Sequence, residues 1–92
     1  MQLIYDPFFV HEMVMLLDTI AEDSPARADA FEHELRERLA NLTHFPYKFR
    51  RSVHHDNEQI RDYIFKGYTI PYLVDEEKDQ LVVLDIFKWQ DR

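Results

Sequence analysis

The chain changes its hydrophobic rhythm once, near its middle. In the first half, Phe9, Met13, Leu16, Leu17 and Ile20 recur at helical spacing and form one apolar stripe. Asp6-Pro7, just before it, reads as an N-cap followed by proline at the first helical position. Ser24-Pro25 repeats that start signal after a short link, residues 21–23, and Ala28, Phe31, Leu35, Leu39 and Leu42 make a second stripe. The opposite faces are polar. His11, Glu12 and Asp18 lie on the first; the second alternates Glu32, Glu34 and Glu37 with Arg36 and Arg38, where i,i+4 pairs are available. So short a join admits only an antiparallel helical hairpin.

The second half alternates with a period of two. A brief strand, Gln2 to Tyr5, precedes the helices, and Pro46 closes the second helix into a connector, residues 43–59. Ile60 to Phe65 then alternates, Lys66-Gly67 turns, Tyr68 to Val74 alternates, residues 75–80 turn again, and Leu81 to Phe87 is the last strand. Gly67 is the single glycine, and it sits where a hairpin needs positive φ. The expected order is β-α-α-β-β-β, an α+β fold with the helical hairpin packed on one face of a mostly antiparallel sheet. Residues 1–92 form one domain.

The strand Tyr68 to Val74 has two faces, and alternation does not choose which one meets the helices. Tyr68, Ile70, Tyr72 and Val74 are bulkier and make the better core. That leaves Thr69, Pro71 and Leu73 for a partner. Pro71 has no N–H to give a ladder, so a bulge or an unpaired position is expected beside it.

Composition narrows the function classes. Apolar residues are 46% and charged residues 32%, a globular balance. Cysteine is absent, which excludes disulfides and thiolate metal sites. The first ten residues have no basic start and no long apolar run, so neither a signal peptide nor a membrane span is expected, and the cytoplasm is the expected compartment. A net charge of −7 disfavours a nonspecific grip on nucleic acid, which is expected only through a complex. Residues 39–55 nevertheless hold Lys48, Arg50, Arg51 and three histidines with no acid at all.

The segment IRDYIFKGYTIPYLVDEEKDQLVVLDIF, with LLDTIAEDSPARADAFEHELRERLANLTHFP before it, resembles the RelE/ParE family of type II toxin–antitoxin toxins over nearly the whole chain. The shared pattern is Ile-Arg, a strand, Gly-Tyr, two residues and a Tyr, an acidic turn and an apolar strand, after two helices that end in Phe-Pro. The resemblance implies a toxin silenced by a cognate antitoxin whose tail lies along the sheet or the helix groove, as in plasmid-stabilising systems. RelE-like members cut messenger RNA on the ribosome; ParE-like members inhibit DNA gyrase.

RNA cleavage needs a base, a cation to balance the phosphorane and an acid. RelE-like ribonucleases use Lys, Arg and Tyr, and the residue after Gly-Tyr is commonly Arg; here it is Thr69. The ParE-like reading, inhibition of gyrase by binding with no catalytic residue and no cofactor, is therefore preferred. The alternatives are a ribonuclease that uses Lys48, Arg61 or Lys88, and a non-toxic remnant that only binds its antitoxin.

Each candidate also has a bland explanation. Arg61 is either a contact to phosphate or to an acidic antitoxin group, or a cross-sheet salt bridge, which is preferred. Lys48, Arg50 and Arg51 either bind a partner or line a solvated loop, and their acid-free surroundings favour the partner. Trp89 is an interface anchor or the edge of the core. His54, His55 and Asp56 lack a second ligand pair at useful spacing and read as a polar loop, so no metal is expected.

Overall fold

The structure, a computed structural model, describes residues 1–88. Strand β1 (Gln2–Tyr5) leads into helix α1 (Pro7–Asp23) and helix α2 (Pro25–Leu42). The connector follows, then β2 (Ile60–Phe65), β3 (Tyr68–Asp75), β4 (Gln80–Val83) and β5 (Phe87–Lys88). This is the expected order and the expected class, with the last strand in two pieces.

The caps fix the helices. The Asp6 carboxylate accepts from the Phe8 N–H at 2.8 Å, and Ser24 Oγ accepts from the Arg27 N–H at 3.2 Å. Residues 21–23, expected as a link, continue α1, because Ser24 alone ends one helix and caps the next. The two helices pack as an antiparallel hairpin.

The sheet runs β1-β4-β3-β2, with β1 parallel to β4 and the other pairs antiparallel. Beyond β2, Arg51 bridges to Arg61 and widens that edge. Tyr72, Ile70 and Val74 are fully buried with Leu35, Leu39, Phe31 and Phe9 of the hairpin, so the tyrosine face is the core face. Lys66 and Gly67 both take positive φ, 50° and 84°, the geometry that joins β2 to β3 through two residues.

The strand expected from Leu81 to Phe87 breaks after Val83. Leu84 N–H donates to the Pro71 carbonyl at 2.9 Å, but Pro71 has no N–H to return. The register then gains one residue before Phe87 pairs with Thr69. That bulge, at Pro71 as expected, keeps Ile86 in the core and leaves Asp85 half-buried at the sheet end.

Candidate functional site

Three surfaces carry chemistry. The first is the outer face of the sheet. Register places Ile60, Asp62, Ile64, Thr69, Pro71, Leu73 and Phe87 there. A strap, residues 51–56, crosses this face. Its Val53 N–H donates to the Asp62 carboxylate at 3.3 Å, and its His54 ring meets the Phe87 ring edge-on at 5.1 Å. Asp62 lies on β2 and Phe87 on β5, so the strap spans β3 between them. Thr69 and Pro71 are sealed beneath it, and Leu73 is half-buried. The partner surface expected from these three residues is thus reduced to Leu73 in the isolated chain. Asp62 Oδ1 and Thr69 Oγ1 are buried without a hydrogen-bond partner among the described residues.

The second surface is the connector. Tyr72 Oη donates to the Pro46 carbonyl at 2.7 Å, and burial pushes the Tyr72 hydroxyl up to about 12. Tyr47 donates to Glu76, whose carboxylate raises the Tyr47 hydroxyl above the ordinary range. Arg61 stacks its guanidinium 4.8 Å from the centre of the Tyr47 ring and donates to the carbonyls of Phe49 and Glu58, both at 3.2 Å. Arg61 therefore clamps backbone, where a cross-sheet ion pair was expected. Arg50 lies 3.7 Å from the buried Asp62, and Arg51 lies 3.2 Å from the exposed Asp56. Lys48 is exposed and stands 5.5 Å from the Phe49 ring centre.

Of the cations named for RNA cleavage, Arg61 and Lys88 stand apart. Arg61 pairs in register with Tyr72 and Lys88 with Tyr68, four residues along β3 and so about 13 Å apart along the strand. Trp89 lies outside the described residues. Among the described residues no group of three or more metal-ligating side chains forms, and no helix is long and apolar enough to cross a membrane. His54 turns to Phe87 while His55 Nδ1 lies 3.0 Å from Ser52 Oγ.

The third surface is the helix groove, one of the two places where the resemblance puts an antitoxin tail, though that expectation does not single out the exposed apolar residues of α1 beside it. Ten of the seventeen residues of α1 are apolar, yet only Phe9 and Met13 are buried. Phe8, Val10, Val14 and Met15 stand exposed. Val10, Val14 and Leu17 face Leu35 and Leu39 of α2 across a groove floored by Phe9 and Met13. At its rim the Glu32–Arg36 ion pair closes at 2.9 Å, with Arg36 over Tyr5. The signal was present in the sequence: apolar residues in α1 spill well beyond the single stripe that packing requires.

A family model described as "ParE toxin of type II toxin-antitoxin system, parDE" matches residues 3–91. Among solved structures, the chromosomal ParDE system from P. aeruginosa superposes with a TM-score of 0.80 at 15% identity, covering 98% of this chain and 97% of that one. The intact RelBE complex of E. coli gives 0.67 at 18% identity, covering 98% of each chain. The isolated RelE toxin of E. coli gives 0.68 at 18% identity, covering 99% of this chain and 86% of that one. No curated protein sequence matches the chain.

Proposed function

The chain belongs to the ParE toxin family of type II toxin–antitoxin systems, and from that premise we propose that it arrests growth by binding DNA gyrase and not by cutting RNA. The observation that carries this reading is the outer sheet face. Thr69, which stands where RelE-like ribonucleases commonly place an arginine, is sealed beside Pro71 and the buried carboxylate of Asp62. Among the described residues of β2, β3 and β5, register puts no lysine or arginine on that face. Arg50, 3.7 Å from Asp62, is committed to that carboxylate, so the pair offers a phosphodiester little net positive charge.

The antitoxin is the second partner. The α1–α2 groove suits the amphipathic tail of such a protein, which would cover the apolar side chains that α1 leaves in water. Lys48 and Leu73 remain accessible beside these surfaces for either partner.

Two assays on the purified protein test the target. With gyrase and relaxed plasmid, the expected result is blocked supercoiling or accumulated cleaved DNA. In a ribosomal translation reaction the message should stay intact. Messenger cleavage with untouched supercoiling overturns the reading in favour of a ribonuclease. Harmless induction without the antitoxin overturns both.

A further inference from the structure

A second concave site lies on the opposite flank of α2 from the apolar groove, between α2, the connector and β2. Phe49 and Tyr63 form its floor, their rings edge-on at 5.1 Å. Phe45 stands at its mouth, 70% exposed. Arg38, His44 and Lys48 supply its polar lining along with one amide, and none of the lining residues is acidic. In a chain with 18 acids against 11 Lys and Arg residues, an acid-free cavity lined by Arg38, His44 and Lys48 is a local reversal of charge.

We propose that this pocket binds an acidic peptide segment of a partner protein, taking one carboxylate presented beside an apolar side chain. Lys48 is the anchor: among the described residues it makes no ion pair, and it projects over the aromatic floor. Arg38 reaches its nearest acid, Glu34, only at 3.5 Å, and Glu34 is also held by Lys66 at 3.2 Å, so Arg38 can turn to a ligand. The end of α2 does not repel the anion strongly. The carbonyls of Ala40, Asn41 and Leu42 are already taken by the N–H groups of Thr43, His44 and Phe45. Phe45 and Phe49 give an apolar neighbour of the carboxylate somewhere to lie.

A nucleic-acid strand is the poorer occupant. Its charges continue past the pocket and would meet the acids of α2, of which Glu34 stands 3.5 Å from Arg38 at the pocket's edge. A peptide brings its single negative charge and stops.

The test is an NMR titration of the full chain, followed through the backbone amides of residues 41–49. The probes are acetyl-Leu-Glu-Leu-amide, its Gln counterpart and a hexathymidylate. The Glu peptide should shift these amides saturably and bind about tenfold more tightly than the Gln peptide. Lys48→Glu, a surface change checked for folding by circular dichroism, should abolish that preference. Phe45→Ala should weaken both peptides alike. Equal binding of the two peptides, no shift at these amides, or tighter saturation by hexathymidylate each overturns the proposal. None of these outcomes depends on whether gyrase is the target.

Discussion

Tyr72 has its ring in the core and its hydroxyl on the Pro46 carbonyl, so one side chain ties β3 to the turn after α2. Tyr72→Phe keeps the ring and removes the bond, which should cost about 1 kcal/mol, read as a lower urea midpoint with unchanged slope. The pH consequence follows from the raised hydroxyl. A group that keeps its proton to higher pH when folded contributes stability fully below its unfolded value, about 10, and loses it as pH rises through the folded one. Alkaline absorbance titration should therefore show a tyrosine step near a pKa of about 12, absent in Tyr72→Phe. Asp85 behaves likewise in the acid range. Burial raises its carboxyl and nearby Glu12 adds to that, while the Ile86 N–H at 2.7 Å opposes them. Its ionisation weakens the fold as pH rises through that raised value. Asp85→Asn should gain a little stability at pH 7, under about 1 kcal/mol because the group is partly solvated, and the gain should vanish below pH ~4. A loss at neutral pH would show that the carboxylate has a stabilising partner.

At the scale of elements, the β2–β3 turn depends on two consecutive positive φ values. Gly67 meets no atom within 4 Å of where a Cβ would stand, so Gly67→Ala carries a pure backbone penalty of about 1 kcal/mol. A much larger thermal shift would mean that the turn also packs against something. This turn was legible in the sequence, as were both helix starts, because each rests on residues adjacent in the chain. The same holds for the bulge, since a missing N–H at Pro71 is a local fact whichever strand lies beside it. What alternation could not supply was the strap. The Val53 backbone N–H reaches the Asp62 carboxylate and the His54 ring reaches Phe87, contacts between residues not adjacent in the chain that leave no periodic signature. Thr69 and Pro71 therefore read as open surface. Arg61 was misread for a related reason: among so many acids an ion pair was the natural expectation, yet its guanidinium found two carbonyls of the connector. The α1 surface was legible only in part, because Phe8, Val10, Val14 and Met15 are apolar residues outside the stripe that packs on the sheet.

At the scale of the whole molecule, the described residues leave an apolar face of α1 uncovered. The sheet packs against α2 and the lower side of α1 on one face and lies under the strap on the other. Surface of this kind destabilises nothing by itself, but it makes the folded state a better ligand than the unfolded one. A partner that binds only the folded chain adds RT ln(1 + [L]/Kd), about 2.7 kcal/mol at a hundredfold excess over Kd. For a domain of this size that corresponds to a rise in Tm of roughly 10–20 °C. The double variant Val10→Gln/Val14→Gln separates this effect from folding. Both positions are exposed, 43% and 51%, and glutamine is the better helix former, so the free protein should melt no lower than the wild type. With antitoxin present, the rise should shrink by about 5–10 °C, the equivalent of a tenfold loss in affinity. An unchanged rise would move the antitoxin off this groove. It would also leave α1 exposing its apolar side chains for another occupant, with the proposed gyrase target as the next surface to try.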